Sequence, residues 1–227
     1  MINPLMTVMG IRWFNNCKYW IDRINFIDKL ILDGYPHDEA HIIAKDYFLK
    51  HDEYTHLLVY GEDGLFTPDH VKLLIEDAKE HDFQVISGWT NINLKMSLSN
   101  VGMDDLRKIP IVDYRQYKFI DIIDFINYKN DDIFIKCFYI GLPLTLIRRD
   151  AMEKVTFEPY MIKNVRIGKL YYKMGIMHDV KFAIDCANNN IPIYVDKRIF
   201  GLHYGDTSML ASDNPFKRLM IVQKAMV

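Results

Sequence analysis

The sequence predicts an α/β domain with a mostly parallel central sheet flanked by helices. Three observations predict it. Apolar strand-like runs alternate with helix-period segments through the first half, an order most simply met by a parallel sheet. One of those runs, "HLLVY" (56–60), passes straight into "GEDG" (61–64) and then toward a proline-started helix. Half of the 227 residues are hydrophobic and 13% are aromatic, which supplies a sizeable core and argues against disorder. The length suits one domain, or one domain with an extension.

The elements follow in order. "PLMTVMGI" (4–11) reads as a first strand; the N-terminus lacks the basic start and small-residue cleavage site of a signal peptide. An aromatic-rich segment, Trp13 to Trp20, comes next. "KLILDG" (29–34) is a short strand closed by an Asp33-Gly34 turn. "HDEAHIIAKDYFLKH" (37–51) places Ala40, Ile43, Ala44, Phe48 and Leu49 at helical spacing. "THLLVY" (55–60) is a buried strand by its continuous apolar content. Thr67 fits an N-cap, Pro68 the first helical position and Asp69 the positive helix end, for a helix to about His81. "FQVISGW" (83–89) is the next strand. In the second half, "DDIFIKCFYIGLPLTLIRRD" (131–150) reads as strands with a glycine break, "DVKFAIDCANNN" (179–190) as a short helix and "IPIYVDK" (191–197) as a strand.

The balance of 28 basic and 30 acidic residues shows no basic face or tail, so no nucleic-acid partner is expected. Cys17, Cys137 and Cys186 lie far apart with no CxxC pair, which argues against a zinc site or a disulfide scaffold and for a reducing, cytoplasmic setting. "YKFIDIIDFINY" (117–128) is interrupted by Asp121 and Asp124, and no apolar run reaches the ~18 residues of a membrane span. "PFKRLMIVQKAMV" (215–227) reads as an amphipathic helix packed on the domain or on another subunit of a homo-oligomer, with a membrane surface as the alternative.

In open α/β sheets, ligands sit beyond the carboxyl ends of the strands, where Glu62 and Asp63 fall. Carboxylates there can hold a hard divalent cation, and Gly61 and Gly64 let the backbone approach a ligand. An ordinary acidic turn is the competing reading.

Four stretches in order, "HLLVYGEDGLFTPD" (56–69), "FQVISGW", "GLPLTLIRRDAMEKVTFEP" (141–159) and "MGIMHDVKFAIDCANNNIPIYVDKRIFGLHYG" (174–205), resemble the GT-A nucleotide-sugar glycosyltransferases, the family-two-like members in particular. The likeness runs from about Leu30 to Gly205. It implies one GT-A-like domain over 1–227, with a nucleotide-binding half at about 1–100, an acceptor and catalytic half at about 101–205, and a tail or helix at 206–227. The sequence also departs from the family. The first acid of the DxD motif is Gly61, with Glu62 in the middle and Asp63 last. The Glu of the ED motif is His178, while its Asp is kept as Asp179. Little room remains between "KLILDG" and "THLLVY" for the extra strand of many relatives.

The resemblance implies transfer of a sugar from a UDP- or GDP-sugar to a hydroxyl of a glycan, protein or lipid. The departing diphosphate gathers negative charge, which a divalent cation, Mn²⁺ or Mg²⁺, offsets. Asp63 would be its first ligand, with Glu62 and His203 beside it. Asp179 stands at the family's general base for an inverting reaction; as a simple helix cap it fits equally well. His178 would tune that base or touch the acceptor, or stand by. Asp33 and Glu62 would face the ribose or uridine and Arg12 the diphosphate or base; an Asp-Gly turn and a surface charge are the plain alternatives for Asp33 and Arg12. Trp89 and Gly141 would border the sugar or acceptor, unless Trp89 is core and Gly141 a β-bulge. Two other functions stay in view. One is a non-catalytic relative that binds sugar nucleotides or glycans, or is structural. The other is a Mg²⁺-dependent nucleotidyltransferase, which needs a glycine-rich basic loop where "GIRWFNNCK" (10–18) has one glycine and two basic residues.

Overall fold

The structure, a computed structural model, describes residues 2–10, 15–33, 35, 37–61, 64–93, 98–108, 119–129, 131–167 and 170–203. The first half forms β1 (Pro4–Gly10), α1 (Asn15–Arg23), β2 (Asp28–Asp33), α2 (His37–Lys50), β3 (His56–Gly61), β4 (Gly64–Leu65), α3 (Pro68–His81) and β5 (Val85–Asn93). The second half adds β6 (Leu98–Gly102), β7 (Phe119–Asp121), α4 (Ile122–Asn127), β8 (Phe134–Cys137), β9 (Tyr139–Ile140), β10 (Leu144–Arg148), α5 (Arg149–Met152), β11 (Met161–Ile167), β12 (Leu170–Ile176), α6 (His178–Asn188) and β13 (Ile193–His203).

The main sheet has the order β2-β1-β3-β10-β5-β13-β4. β1 runs parallel to β2 and β3, and β5 parallel to β13. β10 lies antiparallel between β3 and β5, pairing Leu146 with Leu58 on one side and Ile86 on the other. β8 is antiparallel to β13, and β6 is antiparallel to the far end of β5, with β7 and β9 on it in turn. The α/β class therefore stands, but the sheet is mixed where a mostly parallel one was expected. The cause lies in the signal: a continuous apolar run such as "LTLI" reports burial on both faces and is the same pattern in either chain direction.

Local chemistry explains the helices. Thr67 Oγ1 accepts from His70 N at 3.3 Å, and His70 Nδ1 accepts from Thr67 N at 3.3 Å, a capping box closed by an imidazole. Pro68 follows in the first turn, and α3 ends at Asp82 in a left-handed conformation, φ 52°. Its inner face buries Val71, Leu74 and Ala78; α2 buries Ala40, Ala44 and Phe48; α6 buries Val180, Phe182, Ala183 and Cys186. Asp121 breaks the apolar run before α4 because its carboxylate caps that helix, accepting from Ile123 N at 2.8 Å and Asp124 N at 3.4 Å. The C-terminal helix expected at 215–227 lies outside the described residues. Among the described residues no helix is long and apolar enough to cross a membrane.

Two packing features anchor the strand ends. The Phe66 ring is fully buried and faces three glycines: an added Cβ would lie 2.7 Å from it at Gly64, 3.2 Å at Gly88 and 2.4 Å at Gly201. Its backbone is tied on both sides to the Tyr60 hydroxyl, which donates to Phe66 O at 2.8 Å and accepts from Phe66 N at 3.2 Å. Arg149, just past β10, closes the C-terminal end of α2. Its guanidinium donates to the carbonyls of Phe48 (3.0 Å), His51 (2.6 Å) and Tyr54 (2.8 Å) and lies 4.4 Å over the Phe48 ring.

Candidate functional site

The parallel strands β1, β2 and β3 end together, at Gly10, Asp33 and Gly61. Because β10 runs the other way, its entry turn, Gly141-Leu142-Pro143, arrives at that same edge, and Gly61 N donates to Pro143 O at 2.9 Å. The ends of β5 (Thr90, Asn91, Ile92) and β13 (His203) come there too. With His41 of α2, Asn100 of β6, Tyr139 of β9 and the start of α6, they line a cavity of about 260 Å³. This is the crevice where open α/β sheets bind ligands.

Asp179 lies in the first turn of α6, past the N-cap. That cap is Met177, at φ 65°, and its side chain makes no capping bond. Asp179 Oδ2 accepts from the Tyr139 hydroxyl at 2.5 Å and Oδ1 from Val180 N at 2.9 Å. Both carboxylate oxygens are thus oriented while the residue faces the cavity. His178 beside it is half-buried, its ring centroid 4.1 Å from that of His41, which packs in turn on Phe157 at 5.0 Å.

Two carboxamides of the lining are fixed by backbone amides. Asn91 Oδ1 accepts from His203 N at 3.1 Å, and Asn100 Oδ1 accepts from Thr90 N at 2.9 Å. Gly141 brings the walls close: a Cβ there would stand 3.4 Å from Asn100 Nδ2 and 3.7 Å from the Tyr139 hydroxyl. Leu142, next to it, is left-handed at φ 51° and buried. Bulky residues seldom adopt this conformation, and such outliers cluster at binding and catalytic sites. The described lining holds one carboxylate and three imidazoles and no lysine or arginine.

Of the residues singled out in the sequence, Gly141, His178, Asp179 and His203 meet in this cavity, with Gly61 at its wall. Glu62, Asp63 and Arg12 lie outside the described residues; Gly61 lines the cavity before the two acids, and Gly64 after them pairs with His203. Asp33 is exposed at the end of β2, on the same edge of the sheet and off the cavity lining. Trp89 is corrected: it is a core residue, fully buried, with ring contacts to Phe200 at 4.5 Å and Phe125 at 5.0 Å and its Nε1 donating to Lys197 O at 3.0 Å. The strand reaches the cavity only at the next residue, Thr90. Among the described residues no group of three or more His, Cys, Asp or Glu side chains is placed to hold a metal ion. Sequence reading missed His41, Thr90, Asn91, Asn100 and Tyr139. The polar run "TNIN" (90–93) after an apolar strand was a usable signal for Thr90 and Asn91; a histidine on a helix and a tyrosine in a short strand offered none.

Among solved structures the chain is similar to A197 from STIV, with a TM-score of 0.59 and 17% identity, covering 90% of this chain and 87% of that one. At that identity the likeness concerns the fold. It is also similar to the inositol-1-phosphate CTP transferase from T. maritima, with a TM-score of 0.48 and 10% identity, covering 98% of this chain and 96% of that one, a likeness too loose to argue from. No protein-family model matches the chain, and no curated protein matches it.

Proposed function

We propose that the protein is a metal-assisted glycosyltransferase that moves a sugar from a nucleoside-diphosphate donor, a UDP- or GDP-sugar, to a hydroxyl of a glycan, protein or lipid acceptor. One observation carries the reading. Gly61, Gly141, His178, Asp179 and His203, drawn from three of the stretches that resemble one family, line a single cavity at the carboxyl ends of the strands.

In this reading Asp179 takes the proton of the acceptor hydroxyl as it attacks, and the sugar inverts. The hydrogen bonds from Tyr139 and Val180 hold the carboxylate in place without consuming all its lone pairs. General-base help of this kind contributes about 10²–10⁴-fold. The donor set suits a cation: carboxylates at Glu62 and Asp63 and the imidazole of His203 are ligands for Mn²⁺ or Mg²⁺, and the described lining offers no lysine or arginine to meet a diphosphate. A bound cation would offset the charge gathering on the departing diphosphate. Asp33 would hold ribose hydroxyls from the same sheet edge, Arg12 would meet the diphosphate or base, and His178 would border the acceptor.

The test is thermal denaturation with a panel of nucleotide sugars, with and without Mn²⁺. A donor that binds the native state raises the melting temperature by mass action. Asp63→Ala should abolish the Mn²⁺-dependent part of that rise while leaving the unliganded melting temperature in place. A protein that binds a donor yet never transfers or hydrolyses its sugar, across a broad acceptor panel, is a binding module and not an enzyme.

A further inference from the structure

Asn91 is wholly buried, yet it belongs to the cavity lining. Its Oδ1 accepts the His203 amide. A backbone N–H can only donate, so this bond fixes which end of the carboxamide is oxygen and leaves Nδ2 with two N–H donors. Nδ2 is buried and has no hydrogen-bond partner among the described residues. Native proteins leave few buried donors unpaired, and each one calls for a reason. Asn100 shares the anchored oxygen. Its Oδ1 is held by Thr90 N, and its Nδ2 faces the position where glycine at 141 keeps a side chain out of the way. From there the chain of contacts runs directly to the proposed base: the same Gly141 position neighbours the Tyr139 hydroxyl, and that hydroxyl holds Asp179.

Two carboxamides anchored by their oxygens present N–H donors. Such a wall matches an acceptor oxygen and repels cations and other donors. Asn100 is linked through the Gly141 position and the Tyr139 hydroxyl to Asp179, which in the proposed reading stands at the reacting sugar. We propose that Asn91, with Asn100 beside it, determines specificity by donating a hydrogen bond to one hydroxyl oxygen of the transferred sugar. The inference rests on the glycosyltransferase reading and names the sugar-recognising residue within it.

The test follows the side-chain N–H resonances of Asn91 by NMR in the full, ¹⁵N-labelled chain, assigned through Asn91→Asp. That variant keeps the oxygen that the His203 amide needs and removes both donors. The ligands are the stabilising nucleotide sugar, its nucleoside diphosphate alone, and a series of monodeoxy analogues. The Asn91 resonances should shift with the nucleotide sugar and stay put with the nucleoside diphosphate. One deoxy position should bind the wild type about tenfold more weakly, the worth of one neutral hydrogen bond, and that penalty should vanish in Asn91→Asp. Equal binding of all deoxy analogues by the wild type overturns the proposal, as does a penalty that persists in Asn91→Asp. So does a water contact at these N–H groups that stays unchanged when ligand is added, because the donor is then satisfied by solvent. The deoxy series and the water contact are read on the unaltered protein, so they decide the matter even if Asn91→Asp fails to fold. A chain that binds no nucleotide sugar at all overturns the glycosyltransferase reading and this inference together. Binding without a deoxy penalty overturns this inference alone.

Discussion

Gly201→Ala tests the packing that sets the strand ends behind the cavity. The added Cβ would stand 2.4 Å from Phe66 Cζ, 2.5 Å from Cε1 and 2.7 Å from Cε2, so the ring must retreat by about 1 Å to reach ordinary contact. It has little room to do so. Gly64 and Gly88 bring backbone against its other edges, and both the amide and the carbonyl of Phe66 are tied to the Tyr60 hydroxyl. Overpacking a tight core costs about 1–3 kcal/mol, and this geometry belongs at the upper end. For a chain of this size each kcal/mol moves the melting temperature by about 2–4 °C, so a fall of about 6–12 °C is expected by circular dichroism. Phe66→Leu in the same chain removes the clashing ring atoms. The double variant should then lose less than the two single losses summed, with a coupling of about 1–2 kcal/mol. A Gly201→Ala chain that melts within about 2 °C of wild type, or two substitutions that simply add, would refute the idea that the three glycines exist to admit this ring.

Three further outcomes are expected. Asp179→Asn keeps shape but cannot take a proton; sugar transfer should fall by about 10²-fold or more with donor affinity nearly unchanged, in steady-state kinetics beside calorimetric binding. Undiminished transfer would remove Asp179 as the base. Arg149→Met strips the charged donors from the end of α2 and the guanidinium from over Phe48, which should cost about 2–4 kcal/mol in chemical denaturation; the exposed Asp52 partner, 3.6 Å away, adds little to this. Asp77 gives a pH signature. Burial, and then a hydrogen bond shared with Asp196, push its carboxyl up to about 7, against the pull of Arg198. The folded state therefore holds this proton more tightly than the unfolded chain does. Stability measured against Asp77→Asn should fall as pH rises from about 4 to about 7 and level off above that, so a pH-independent difference would be evidence against the assignment.

What the sequence disclosed divides along physical lines. Start signals built from neighbouring residues were legible: Thr67-Pro68-Asp69 opens α3 where expected, and "KLILD", "HLLVY" and "VISGW" are strands. Strand direction was not, because β10 is apolar throughout and only its partners β3 and β5 fix which way it runs. The hairpin β11–β12 went unassigned. At the site, residues marked by glycine or by a charge in a recognisable order could be named in advance. Asn91, Asn100 and Tyr139 could not, because their roles come from bonds across 112, 10 and 40 residues of chain. Asp179 shows the gap within a single residue. Its helix was foreseen, while the left-handed turn at Met177 that moves the capping position off it was not.

Two of the left-handed residues, Leu142 and Met177, have a consequence for anyone who would alter this protein. Each introduces a segment of the cavity wall, and each sits in a conformation that costs an L-residue about 1–2 kcal/mol relative to its ordinary wells. Glycine at either position would relieve that torsion, but at Leu142 it would also empty a buried side-chain site. The same change would widen the range of torsions open to the turn, and with it the directions in which Gly141 and Asp179 could be presented. The direction of this cavity corner is thus set at two φ angles, and a variant relaxed at either should present Gly141 or Asp179 less consistently.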